Sequence, residues 1–91
     1  LVVPKKEVDY IFDIDDKLLG DMMVFAKSVS IKIKRVFPCN RIGVTVIGLE
    51  VPHAHIHLIP INTMNDMNFA QPKMELPQEE LAEIAEKIRK A

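Results

Sequence analysis

The 91-residue sequence has one cysteine, no surplus of basic residues and no long apolar run. A single cysteine, Cys39, can form neither an intramolecular disulfide nor a cysteine-rich zinc site, which fits a reducing compartment. Twelve Lys and Arg against thirteen Asp and Glu leave a formal charge of −1, so no overall positive field would hold a nucleic acid. No apolar stretch approaches the roughly 18 residues that span a bilayer, and the first residues lack the zones of a signal peptide. We therefore expect a cytoplasmic protein that binds neither nucleic acid nor membrane.

The composition is that of an ordinary globular domain. Hydrophobic residues make up 48% of the chain and charged residues 27%, and no internal repeat or low-complexity tract occurs. The chain opens with the β-branched run of residues 1–3 and has no initial methionine, which indicates a strand that is already under way. We expect a single domain over residues 1–91 whose N-terminal part is incomplete.

Two segments have the spacing of amphipathic helices. Apolar residues recur every three or four positions over about residues 16–37, and Pro38 then ends the pattern. A second apolar stripe follows Pro77 and comprises Leu81, Ile84, Ala85 and Ile88. Residues 62–76 sustain neither a helical nor a strand period, so we expect a loop that crosses the domain.

Two strands are predicted between the helices. Residues 42–47 are β-branched and apolar on both faces, which is typical of a strand covered on both sides. Residues 53–59 alternate with period two, and we expect Pro60 to end that strand. The order strand, long helix, two strands, loop and helix predicts an α+β fold: an antiparallel sheet packed by one long helix, plus a C-terminal helix. Apolar positions in excess of what one small chain can bury predict a homodimer.

The second strand carries a row of histidines. All three histidines of the chain project from one face, and they are His53, His55 and His57. Neighbours in the row lie roughly 6.6 Å apart, so two imidazoles could share a metal ion, but the outer pair is roughly 13 Å apart and no further ligand completes the shell. Alternatively, the row faces an extended anionic ligand, with one imidazole as nucleophile or base and its neighbours donating hydrogen bonds to phosphate. The spacing favours this second interpretation.

Residues 48–60, Gly-Leu-Glu-Val-Pro-His-Ala-His-Ile-His-Leu-Ile-Pro, resemble the histidine triad family, whose signature is His-x-His-x-His followed by apolar residues. The opening Leu-Val-Val-Pro-Lys-Lys looks like the strand before that family's main helix, and residues 67–69 with the terminal helix resemble the tails of some bacterial members. Family members begin with a short helix and hairpin that this sequence lacks. The matches at the opening, at the histidine row and at the tail together cover the whole of the given chain.

The resemblance implies a nucleotide-binding hydrolase or transferase that acts on a nucleoside phosphoramidate or a dinucleoside polyphosphate, with adenosine or guanosine as the nucleoside. By this resemblance His55 attacks the α-phosphorus and forms a covalent nucleotidyl-histidine that water then cleaves. His53 and His57 orient the nucleophile and donate hydrogen bonds to the phosphate or leaving group, and no metal or other cofactor is required. The edge of the phosphate site would consist of Gly48, Leu49, Glu50 and Val51.

The sequence departs from the family's pattern at three positions. Leu49 stands where many members have Gln, so an amide near the phosphate is absent. Glu50 stands where one large branch has Ser or Thr as a donor to the leaving group, and Glu7 stands where another branch has a fourth histidine. An ionised Glu50 would repel phosphate, whereas a protonated one could donate a hydrogen bond. The alternatives are a metal-binding module that uses a His-x-His pair, and a non-catalytic nucleotide-binding remnant.

Overall fold

A computed structural model of the chain describes residues 1–70 and 74–91. A short 3-10 helix, Ile11–Asp13, precedes helix α1, Asp16–Val36. Strands β1, Arg41–Thr45, and β2, His57–Ile61, come next, followed by a second 3-10 helix, Met64–Met67, and helix α2, Gln78–Lys90. The predicted α+β class is confirmed, as is the order of long helix, two strands and C-terminal helix, whereas the predicted opening strand is only an isolated bridge at Val2.

Helix α1 begins and ends at signals that are local in sequence. The Asp15 side chain accepts a hydrogen bond of 2.8 Å from the backbone N–H of Leu18, which satisfies one of the free donors of the first turn. Lys34 and Arg35 occupy the last turn, where the helix dipole favours positive charge. The predicted helix, residues 16–37, and the observed helix, Asp16–Val36, differ by one residue at the C-terminal end. No helix in the described part of the chain is long and apolar enough to cross a membrane.

Strands β1 and β2 pair as an antiparallel hairpin, as predicted, with Arg41 opposite Ile61 and Thr45 opposite His57. Pro60 does not end the second strand, because β2 continues through it to Ile61. A proline lacks only the backbone N–H, and an edge strand tolerates that loss where the group would face away from its partner. The prediction that Pro60 is a stop was therefore wrong.

The predicted cover on both faces of β1 is not present within one chain. The strand is also shorter than predicted and ends at Thr45. Val44 is 48% exposed, and Val46 and Ile47 beyond the strand are exposed as well, whereas Ile42 packs against the core. Ile42 and Val44 lie on the same face of β1, so the described residues cover that face at Ile42 and leave it open from Val44 onward.

The core lies between α1 and the segment that carries the histidines. Its buried members come from four parts of the chain and are Val2, Ile11, Ile14, Met22, Ala26, Ala54, Ile56 and Leu58. The opening residues reach this core through Val2, which forms an isolated antiparallel bridge with Ile56. Helix α2 packs on the outside of α1, and the Lys32 side chain donates to the Arg89 carbonyl oxygen at the far end of α2. Its face is only partly covered, and none of its residues is fully buried.

The segment after β2 has more regular structure than the sequence predicted. The 3-10 helix Met64–Met67 begins with a capping box between Thr63 and Asp66. The Asp66 carboxylate accepts hydrogen bonds from the backbone N–H groups of Asn62, at 2.8 Å, and Thr63, at 3.0 Å. These donors stabilise the charged form and lower the pKa of Asp66 below its usual value. Residues 71–73 of the predicted loop lie outside the described part of the chain.

Candidate active site

The three histidines lie on one side of an extended segment and the residues between them lie on the other. Ala54 is 1% exposed and Ile56 2%, whereas His53, His55 and His57 are half-buried. Only His57 belongs to β2 itself. The part before β2 is held against the opening segment by backbone hydrogen bonds, because Ala54 donates to the Val8 carbonyl at 2.7 Å and Ile56 donates to the Val2 carbonyl at 2.9 Å. These bonds extend the alternation beyond the strand.

His53 is fastened to the opening segment of the chain. Its Nε2 lies 2.9 Å from the carbonyl oxygen of Pro4. A backbone carbonyl can only accept a hydrogen bond, so Nε2 carries the proton and donates it. In the neutral ring the lone pair of His53 is then on Nδ1. This residue connects the histidine row to a part of the chain 49 positions away.

His55 has the opposite arrangement of its ring nitrogens. Its Nδ1 lies 2.8 Å from the carbonyl oxygen of His53, so Nδ1 is the donor. In the neutral imidazole the lone pair is therefore on Nε2, the nitrogen farther from the backbone. The geometry distinguishes His55 from His53, because in His53 the Nε2 atom is the donor to a carbonyl. Only His55 of these two presents a nucleophilic Nε2.

His57 lies between two rings. Its ring centre is 4.8 Å from that of His55 and 5.1 Å from that of Phe69, and both pairs are edge-to-face. Such contacts fix the orientation of an imidazole as well as its position. From the sequence, Phe69 was expected only as part of a tail and not as part of the site. No local signal identifies it, since its contact depends on how the segment after β2 folds back.

The segment that carries Phe69 is fastened to β1. Asn40 donates from its backbone N–H to the Asn62 side-chain oxygen at 2.8 Å and from its side-chain amide to the Asn62 carbonyl oxygen at 3.2 Å. Met67 packs over Gly43 so closely that a Cβ atom there would lie 2.7 Å from the Met67 sulfur. The absent side chain of Gly43 thus makes room for Met67. These contacts bring the start of the following turn, with Phe69, beside the histidine row.

A pocket of about 390 Å³ lies beside His55, His57 and Phe69. The remaining residues around it are Leu1, Ile47 and the four predicted phosphate-edge residues, Gly48, Leu49, Glu50 and Val51. The structure therefore brings these four together with two of the three histidines. His53 lies at a separate pocket of about 230 Å³ with Leu1, Val3 and Val51, and His55 borders both pockets.

The backbone at the edge of the larger pocket turns at Gly48. Its φ of 75° is in the left-handed region, which glycine adopts without the steric cost that a side chain brings. This turn follows the apolar residues after β1 and leads the chain around the pocket toward the histidines. Among the residues that the structure describes, no group of three or more His, Cys, Asp or Glu side chains is arranged to hold a metal ion.

Residues 1–64, which include the whole histidine row, match the family model of the HIT domain. The chain belongs to the HIT, or histidine triad, family. Its fold is similar to that of a HIT protein from Sinorhizobium meliloti, with a TM-score of 0.78 and 22% identity over 97% of this chain and 70% of that one. It is also similar to a histidine triad protein from Bradyrhizobium japonicum, with a TM-score of 0.76 and 22% identity over the same shares. The likeness to these two HIT structures shows the fold.

Proposed function

We propose that this HIT chain is a nucleotide-binding hydrolase or transferase that cleaves a nucleoside phosphoramidate or a dinucleoside polyphosphate through a nucleotidyl group on His55. Membership of the HIT family supports nucleotide hydrolase or transferase chemistry. The observation that carries the proposal is the 2.8 Å hydrogen bond from His55 Nδ1 to the His53 carbonyl oxygen. It leaves a lone pair on Nε2 of a residue that borders the larger pocket.

The reaction proceeds in two displacements at phosphorus. His55 Nε2 attacks the α-phosphorus, an N–P bond forms, and the bond to the leaving group breaks with its electron pair. The leaving atom takes a proton from the imidazolium of His57, the neighbour of His55 in the same pocket. Water then attacks the nucleotidyl-histidine, gives a proton back to His57 and releases the nucleotide with regeneration of His55. A second acceptor in place of water gives transfer instead of hydrolysis.

The residues around His55 have supporting roles in this proposal. His53 acts as a positioning residue, because its side chain is tied to Pro4 while its carbonyl oxygen fixes the tautomer of His55. Residues 48–51 line the pocket edge, and in this proposal their backbone N–H groups donate to phosphate oxygens. These donors stabilise the negative charge that grows on the oxygens during transfer.

The experiment that tests the proposal is incubation of the chain with an adenosine phosphoramidate. We expect release of AMP and, on rapid acid quenching, a fraction of protein heavier by one nucleotidyl group in intact-mass spectrometry. Activity that survives a chelator, in untagged protein, would oppose the alternative metal-binding module. One tightly held metal per chain together with no turnover would favour that module over the enzyme.

We also propose that the whole chain, residues 1–91, is one domain of this type that pairs with a second copy. Large apolar side chains remain exposed on β1 and the segment after it, and on α1; they are Val44, Val46, Ile47, Met23, Val24 and Phe25. A surplus of exposed large apolar side chains is typical of a protein that has an interface with a partner. We expect a dimer mass in light scattering at micromolar concentration, and a monomer mass would contradict this part of the proposal. A cytoplasmic location stays a prediction.

A further inference from the structure

We propose that Glu50 selects the leaving group by its charge, so that the site favours a leaving group that carries positive charge in the transition state, such as a protonated amine nitrogen, over one that carries negative charge, such as a phosphate chain. This inference rests on the proposed function and names the substrate class within it. The starting point is a conflict, because Glu50 brings a carboxylate to the edge of a pocket that is proposed to hold phosphate.

The charge of Glu50 is not neutralised by its surroundings. Glu50 is exposed, and no hydrogen bond or ion pair joins its side chain to any residue in the described ranges 1–70 and 74–91. Of the lining residues of the larger pocket within the described ranges, none is Lys or Arg. The imidazoles of His55 and His57 are the other titratable side chains of that lining. Among these residues, the titratable side chains that a ligand meets are therefore one carboxylate and two imidazole rings.

The pocket is small enough for the carboxylate to act throughout it. A sphere of the same volume would be about 9 Å across, which is close to the Debye length of about 10 Å at 0.1 M salt. Unit charges about 4 Å apart in a water-like dielectric change an equilibrium or rate about fivefold. Attraction of a cation and repulsion of an anion act in opposite directions, so the ratio between two such leaving groups should be about tenfold or more.

The chemistry of the two candidate substrate classes differs in the sign of the charge that develops. In a phosphoramidate the nitrogen takes a proton from His57 and so carries positive charge while the P–N bond breaks; the electron pair of that bond stays on nitrogen, which leaves as a neutral amine and takes a second proton from water. When the P–O bond of a polyphosphate breaks, the electron pair stays on oxygen and the leaving chain gains negative charge. A carboxylate at the pocket edge stabilises the first transition state and destabilises the second.

The test compares three adenosine phosphoramidates of similar size, made with ethylenediamine, propylamine and glycine. Their leaving amines carry an extra ammonium, no extra charge and a carboxylate, respectively. We expect kcat/KM for the ethylenediamine amide to exceed that for the glycine amide by about tenfold or more, and the ratio to fall as salt is raised. In Glu50→Gln the ratio should fall to within about twofold, whereas Glu50→Asp should retain most of it.

Glu83→Gln is the matched control, since it removes the same charge from the exposed face of α2, on a residue that lines neither pocket. It should keep the ratio of the unchanged chain, and thermal melting checks that each variant is folded. A ratio that stays at its original value in Glu50→Gln overturns the inference. If no amide is hydrolysed, the proposed function fails. The role of Glu50 is then tested by competitive binding of the three amides, measured by calorimetry. Equal affinities of the unchanged chain for the three amides would overturn the inference about Glu50.

Discussion

Replacement of His55 by alanine is the most direct perturbation of the proposed mechanism. We expect turnover of an adenosine phosphoramidate to fall by about a thousandfold or more, which corresponds to about 4 kcal/mol of transition-state stabilisation. The reason is that covalent catalysis needs a nitrogen lone pair in contact with phosphorus, and the tautomer of His55 supplies it on Nε2.

The structure indicates why no other group replaces this nucleophile. The nearest imidazole in the pocket is that of His57, whose ring centre is 4.8 Å from that of His55. Reacting atoms must approach to about 3–3.5 Å, and an error of about 1 Å can cost about a hundredfold in rate. A substrate seated for attack by His55 therefore lies several ångströms from the position at which His57 could react.

The assay is single-turnover hydrolysis with intact-mass detection of the nucleotidyl protein, using His53→Ala and His57→Ala for comparison. Both should lose less activity than His55→Ala. His53→Ala retains the backbone carbonyl that accepts from His55, so the tautomer of the nucleophile is preserved. Thermal melting of all three variants checks that the loss in His55→Ala is not a loss of folding.

One result would refute this reasoning. If His55→Ala kept near-original turnover while one of the flanking variants lost it, the nucleophile would be that flanking residue. A nucleotidyl adduct that maps by peptide sequencing to His53 or His57 in the unchanged chain would lead to the same conclusion.

Two further predictions concern the segment after β2. Phe69→Ala should lower kcat/KM severalfold and shift the pH profile, because His57 loses its ring neighbour. Phe69→Leu should restore part of the lost kcat/KM. An unchanged pH profile in Phe69→Ala would mean that the contact does not position His57. Asp66 has a lowered pKa in the folded state, so its contribution to stability is present above its usual value of 3.8 and is lost as pH falls through the lowered pKa. The urea denaturation midpoint of the unchanged chain should fall as the pH is lowered across that acid range. In Asp66→Asn the midpoint should fall less, because the contribution of the Asp66 carboxylate is absent.

Much of the fold could be predicted because its signals are local. The period of α1, its aspartate cap and the proline after it all lie within one stretch of chain, so the helix was located to within one residue. The antiparallel hairpin followed from two short apolar segments in sequence. Predictions that depended on a neighbour were less accurate, as Pro60 shows, since the cost of a proline in a strand depends on which edge its missing N–H would face.

The sequence by itself determined the histidine row and the family. In extended backbone, strict alternation sends every second side chain to the same side, so the spacing predicted the shared face, and hydrogen bonds to Val2 and Val8 hold the residues before β2 in place. The same rule sends the residues between them to the opposite side, where Ile56 is buried. The signature of the row needs no tertiary information, because its spacing is short and its residue type is rare.

Only the tertiary structure decided how the three histidines differ. The proton of His53 is fixed by the Pro4 carbonyl, 49 positions away, and that of His55 by a carbonyl whose direction depends on the local path of the backbone. Phe69 reaches His57 because Met67, two residues before it, packs over Gly43 of β1. A hydrogen-bond partner or a ring contact is a matter of distance in space, and one sequence read along its length contains no measure of that distance between remote segments.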